Sequence, residues 1–303
     1  MENNPEKIEN NKHLKENWYD RYYKILLIIP VIILILSLSY IGYFFYKHKV
    51  FFLKDTSLSG GTTITFISDI SQTELEKNLN LKFSDISIRK LTDITGTGKS
   101  SYIIESSANS EELKKAIEDI IGTKLTEENS TIEFTGPSLS KSFYKQLIIA
   151  LLISFTLMSI TVFIIFRTFI PSIAVIFAAF SDIVMSLALI NLLGIKLSAA
   201  GIAAFLMLIG YSVDTDILLT TRALKTKLGN LNQRIFRAFK TGIFMTITAL
   251  AAVLPAFLIN SGLPSNFMQI FFILSLGLTA DIINTWLTNA SIIKWYCVKK
   301  KIE

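Results

Sequence analysis

Six long apolar stretches punctuate the chain, running from Ile25 to Tyr46, Gln146 to Phe166, Ile170 to Leu193, Ser198 to Leu219, Thr241 to Ile259 and Phe267 to Ile293. Each reaches or approaches the roughly 20 residues that cross a hydrocarbon core, so the pattern predicts six transmembrane helices. Between the first and second stretches, residues 47–145 change period. Thr62 to Ile67 alternates as a strand, and Ser71 with Glu74 forms a capping box opening a short helix through Leu79. Phe83 to Leu91 and Tyr102 to Ser106 alternate again, with Thr95-Gly96-Thr97-Gly98 as the turn between them. Asn109 and Glu112 open a second helix whose apolar face is Leu113, Ala116, Ile117, Ile120 and Ile121, and Ser130 to Phe134 closes as a last strand. The order βαββαβ is that of a ferredoxin-like layer of strands with helices on one face. The predicted fold is therefore a membrane α-helical protein of six spans, with a ferredoxin-like α+β domain inserted between helices 1 and 2.

Composition agrees: 303 residues, 51% hydrophobic and 18% charged, are too apolar for an ordinary soluble protein. A polar segment with as many acids as bases precedes the first stretch, and no small-residue cleavage site follows it, so it reads as an anchor and not a removable signal. The net charge of +6 is uneven. Arg222, Lys225, Lys227, Arg234, Arg237 and Lys240 crowd the connection between the fourth and fifth stretches without one acid, and Lys294, Lys299, Lys300 and Lys301 mark the C-terminus. The positive-inside rule makes these segments cytoplasmic. The expected division is a cytoplasmic segment 1–24, helix 1 at 25–46, an extracytoplasmic domain at 47–145, helices 2–6 within 146–293 and a cytoplasmic tail 294–303. Both termini then lie inside a cell membrane crossed many times, and Lys196 is the one basic residue stranded on an exterior turn. Juxtamembrane charge of this kind follows from insertion, and no nucleic-acid partner is expected.

Soluble-type chemistry finds little support. Gly98-Lys99-Ser100 imitates the end of a phosphate-binding loop, but Asp93 stands where the earlier glycine is needed and a strand follows. His13 and His48 have no companions at metal-ligand spacing, and Cys297 is the single cysteine, which rules out an intrachain disulfide and a thiolate cluster. Neither enzymatic activity nor a cofactor or metal is expected.

The informative chemistry lies in the spans, where a carboxylate costs several kcal/mol unless hydrated or partnered and so usually lines an ion or substrate path. Gly210-Tyr211-Ser212-Val213-Asp214-Thr215-Asp216 places two acids in the fourth span, while Asp182 lies in the third and Asp281 in the sixth. Counted at about 1.5 Å per residue, Asp214 is roughly 10 Å, and Asp182 and Asp281 roughly 18 Å, from the cytoplasmic helix ends. Asn284, Thr285, Thr288 and Asn289 continue a polar stripe beyond Asp281. Asp214, Asp182 and Asp281 are thus the candidates for an ion relay. Asp216, turned about 200° from Asp214 and nearer the surface, ranks below them. Arg222, Lys240, Asn284 and Asn289 are candidate supporting groups. The same acids could instead pair with Arg222 or Lys240, or hydrogen-bond between helices as structural glue.

At this point the chain resembles the SecF family of the SecD/SecF protein-export proteins, most closely its archaeal form. The resemblance rests on Gly210-Tyr211-Ser212-Val213-Asp214-Thr215-Asp216 through Arg222, Gly60-Gly61-Thr62 after the first span, and Gly136-Pro137-Ser138-Leu139 before the second. Lys240-Thr241-Gly242 with Met245-Thr246, and Asp281 through Asn289, are similar as well. Where bacterial members usually read Asn-Asp-Thr, this chain has Asp214-Thr215-Asp216. The resemblance implies half of an RND-type transporter that pairs with SecD, engages a SecY-type translocon and a translocating polypeptide, and draws on the ion gradient across the membrane. It leaves two other readings open: an assembly subunit without its own relay, and an RND-type small-molecule exporter.

Overall fold

The computed structural model describes residues 18–83, 85–91, 100–258 and 265–302. Within them, six helices are long and apolar enough to cross a membrane. The first comprises α1 (Trp18–Leu26) and α2 (Ile28–His48), and the others are α6 (Pro137–Phe166), α7 (Phe169–Leu192), α8 (Ala199–Lys225) and α9 (Leu231–Leu258). The last is α10 (Ser265–Ile283), continued through a π-helical turn at Asn284–Asn289 into α11 (Ala290–Lys300).

Several of these helices outrun their apolar stretches, because polar residues extend a helix once the apolar part has nucleated it. α6 begins at Pro137, ahead of the expected 146. Its proline occupies the first turn, where a missing N–H costs nothing. α8 continues beyond Leu219 to Lys225, and α9 starts at Leu231, so much of the basic connection is helical. Ser198 caps α8 by accepting from the Gly201 amide at 3.1 Å.

α7, α8 and α10 form the interior of the bundle. Ile190, Ile202, Phe205, Leu208, Ile273 and Leu274 pack together there. α2, α6 and α9 stand outside and display exposed apolar side chains such as Ile32, Leu36, Leu157, Ile164, Phe244 and Ile247. Apolar surface of that extent is stable only against lipid or another protein.

The inserted domain has the expected order: β1 (Gly61–Ser68), α4 (Gln72–Asn80), β2 (Ser87–Leu91), β3 (Ser100–Ser106), α5 (Ser110–Ile121) and β4 (Ser130–Thr135). The strands lie side by side as β2-β3-β1-β4, every neighbour antiparallel. This is the ferredoxin-like sheet. The turn expected at Thr95 to Gly98 lies outside the described residues. Ser71 accepts from the Glu74 amide and Asn109 from the Glu111 amide, fixing the starts of the two helices. Ile64, Phe66, Leu75, Leu79, Tyr102, Ile104, Leu113 and Ile117 fill the space between helices and sheet.

A short connection, with α3 at Thr56–Ser59, seats this domain on the bundle. Leu197 N–H donates to the Leu53 carbonyl at 2.7 Å, and Asp55 N–H donates to the Leu197 carbonyl at 3.1 Å. The Ala199 amide donates to Ser57 Oγ at 2.9 Å, and Asn191 Nδ2 to the Phe51 carbonyl at 2.8 Å. Burial pushes the Asp55 carboxyl above its ordinary range, against the Ser57 hydrogen bonds that pull it down. On the sheet, Glu105 is 2% exposed and lies between Arg89 and Lys196, the latter at 3.0 Å. The paired glycines of the resemblance are structural here. Gly60 and Gly61 have φ of +90° and +134°, and a Cβ on Gly61 would sit 2.4 Å from the Ser106 carbonyl oxygen.

Candidate functional site

Three helices bring three carboxylates to one buried place. Asp182 of α7, Asp216 of α8 and Asp281 of α10 each have 0% exposure. Asp182 accepts from Ser212 Oγ at 2.5 Å and from Asn284 Nδ2 at 2.7 Å. Asp216 Oδ1 accepts from Asn289 Nδ2 at 2.7 Å and lies 2.8 Å from Thr285 Oγ1. Asp281 Oδ1 lies 3.0 Å from that same Thr285 Oγ1, and both of its oxygens are 3.2 Å from Thr215 Oγ1.

The sequence makes this possible through helical spacing and one exception to it. Ser212, Thr215 and Asp216 share a face of α8 because residues three and four apart are neighbours on a helix. Asp281 and Thr285 are neighbours for the same reason. The π turn at Asn284–Asn289 then widens the helix by one residue per turn, and both Thr285 and Asn289 reach Asp216 Oδ1.

Hydrogen accounting constrains the protons. Thr285 Oγ1 carries one hydrogen and stands within bonding distance of two carboxylates. It can donate to only one of them. The second contact is a hydrogen bond only when that carboxyl bears a proton and donates to the hydroxyl. Asp216, Thr285 and Asp281 therefore form a chain along which a proton can shift by reversing two hydrogen bonds. Asp216 Oδ2 and Asn289 Oδ1 are buried and have no hydrogen-bond partner among the described residues. Such acceptors suit a bound water or cation.

The sequence expectation needs correction on α8. Asp214, ranked first, is exposed and lies outside the cluster, whereas Asp216, ranked below it, is fully buried within it. The two were correctly expected to face apart. Depth does not separate them, since the extension of α8 to Lys225 deepens both alike; the face does, because Asp216 shares with Ser212 and Thr215 the side of α8 turned to Asp182 and Asp281. Of the supporting groups, Asn284 and Asn289 join the cluster. Arg222 instead donates to the Arg237 carbonyl at 2.8 Å and to Thr241 Oγ1 at 3.0 Å. Lys240 is exposed and has no carboxylate in ion-pair range among the described residues. Of the motif on α8, Ser212 contributes a ligand, Tyr211 is exposed, and Gly210 has open space around its Cα. Thr215 was overlooked; its place one turn after Ser212 was the available signal.

Six membrane-length helices, a ferredoxin-like domain after the first and a carboxylate cluster buried in the bundle define a multi-pass membrane protein with ionisable groups in its interior. The sequence model described as "Protein export membrane protein SecD/SecF, C-terminal" matches residues 115–299. The protein-export membrane protein SecF of Methanolacinia petrolearia is 37% identical over 273 residues, covering 90% of this chain and 93% of its own. SecF of Methanocaldococcus jannaschii is 37% identical over 289 residues, covering 93% and 98%. The chain belongs to the SecF family. Its fold is also that of a solved SecDF from Thermus, a translocon-associated membrane protein, with TM-score 0.69 and 14% identity over 91% of this chain. A SecDF structure in a super-membrane-facing form gives TM-score 0.58 at 19% identity over 93% of the chain. This chain spans 38% and 39% of those two solved chains, respectively.

Proposed function

We propose that the chain works with a SecD-type subunit, joins a SecY-type translocon and helps an emerging polypeptide across the cytoplasmic membrane, driven by the proton gradient through Asp182, Asp216 and Asp281. In this reading the N- and C-termini face the cytoplasm and the inserted domain faces outward, an orientation supported by the basic connection before α9 and the basic C-terminus. The apolar outer faces of α2, α6 and α9 offer room for the partner subunit.

The observation that carries the relay is the Thr285 hydroxyl held between Asp216 and Asp281. An assembly role has one observation in its favour, since the same hydrogen bonds tie α7, α8 and α10 together. Asparagine substitution separates the two. Asp216→Asn keeps the size and much of the hydrogen bonding of the side chain but cannot take up a proton. Gradient-dependent export in reconstituted vesicles should fall by about a hundredfold in Asp216→Asn and in Asp281→Asn, the scale of losing a proton-transfer group. Asp214→Asn should stay within about twofold of the parent, because surface positions away from special features are energetically quiet. Full export by Asp216→Asn and Asp281→Asn, with normal subunit association, would rule out the relay.

A further inference from the structure

At the end of the bundle away from the inserted domain, Arg222, Thr226, Arg234 and Arg237 line a cavity of about 170 Å³. We infer that this cavity is a binding site for a phosphate group, supplied by an anionic lipid headgroup or by free phosphate.

Arg234 carries the argument. It is 2% exposed, and its guanidinium donates to the Thr226 carbonyl at 2.5 Å and the Ile302 carbonyl at 3.3 Å. Its Nε is buried with no hydrogen-bond partner among the described residues. Arg222 is fixed beside it by the Arg237 carbonyl and Thr241 Oγ1. These partners are neutral, and among the described residues no carboxylate forms an ion pair with any of the three arginines. The sequence from residue 217 to 280 has no acid, and Glu303, next to Ile302, lies outside the described residues. Membrane insertion calls for basic residues near a helix end, but not for a buried one. A guanidinium withdrawn from water with no counter-charge among the described residues is costly to bury, and nearby guanidiniums add mutual repulsion.

An oxyanion at this place offsets both terms. Arginine presents its donors as a planar fork that matches two oxygens of a phosphate. The position at the ends of α8 and α9 is where lipid headgroups meet a spanning helix, and basic pockets at that depth suit anionic headgroups. The cavity exceeds the roughly 30 Å³ share of a single water.

The test uses the full chain purified in a neutral detergent. Native mass spectrometry after mixing with phosphatidylglycerol or phosphatidylcholine reads lipid retention, and thermal melting in phosphate against chloride at matched ionic strength reads free phosphate. Phosphatidylglycerol should be retained over phosphatidylcholine by about tenfold or more, the scale of charge-assisted hydrogen bonds. Arg222→Gln with Arg237→Gln should abolish that preference. Arg237→Gln alone, at an exposed side chain, should weaken it with the fold intact. Lys227→Gln with Lys300→Gln, which removes the same charge elsewhere, should leave it unchanged. Stabilisation by phosphate without lipid preference, lost in the arginine variants, would identify free phosphate as the occupant. No preference and no stabilisation, or equal losses in the lysine control, would overturn the site.

Discussion

Thr285 holds one hydrogen between two acceptors, and this makes it the most specific probe of the carboxylate cluster. Thr285→Val preserves shape while deleting the bridge, and leaving buried acceptors unpaired costs about 1–3 kcal/mol. Gradient-dependent export should collapse in Thr285→Val and return in Thr285→Ser, with both variants inserted in the membrane at parental levels. A second residue-scale expectation concerns Asp85. Hydrogen bonds from the Ser107 side chain, then the Ser107 amide and Ser106, hold its carboxyl below the ordinary value. A depressed value means stability that is present above the unfolded carboxyl's range and lost as pH falls through the lowered one. The melting-temperature advantage of the parent over Asp85→Asn should therefore hold at neutral pH and shrink as pH falls below about 5. At this scale the sequence revealed which residue types matter better than which individuals. Asp182, Asp281, Asn284 and Asn289 stand out as polar groups in apolar helices, but choosing Asp216 over Asp214 required knowing which face of α8 turns to α7 and α10. Apolar content locates a span, whereas the face it turns inward in a helix flanked by both lipid and other helices depends on its neighbours in the bundle.

Helices and strands were the most legible level. The six spans and the βαββαβ order follow from periodicity, because burial imposes a repeat of about 3.6 on helices and 2 on strands. The π turn at Asn284–Asn289 has no such signature. A single widened turn leaves composition unchanged and is stabilised by what it contacts across the bundle, in this case Asp216 and Asp182. Its contribution can be tested by deleting Leu287, a half-buried residue within it. The deletion removes the extra residue that the widened turn absorbs, so the turn tightens to ordinary α-helix while Asn289 and the residues beyond it keep nearly their azimuth relative to Asp281. Export should fall if the widened turn itself shapes the contacts of Asn284 and Thr285. Cys297, buried and free beyond the turn, should stay protected from thiol labelling, which checks that the register is kept. Full export with Cys297 still protected would show that the turn is dispensable.

At the scale of the whole molecule, the charge pattern left Lys196 as the exception on its turn, and tertiary structure explains it: the ammonium reaches Glu105 of the inserted sheet at 3.0 Å. No local pattern could have joined residues 91 positions apart. Removing this charge should loosen the domain on its seat. In Lys196→Gln the junction should lose about 1–3 kcal/mol, with Arg89 still holding Glu105, and protease cleavage between residues 49 and 60 should quicken relative to the parent, by a margin that narrows at high salt because salt screens the parental ion pair. The same seat includes the Gln269 side chain, whose Nε2 donates to the Lys196 carbonyl at 2.6 Å and whose Oε1 accepts from the Ser198 amide at 2.7 Å. α8 starts at Ala199, immediately beyond these contacts, and continues unbroken past Asp216, about 25 Å further along its axis. A helix resists compression along that axis far more than a loop does. Tilting the sheet thus presses on one end of a stiff strut whose other end holds Thr215 and Asp216 against Asp281 and Thr285, so under the proposed relay mechanical load on the inserted domain and proton position in the bundle would share a single rigid linkage.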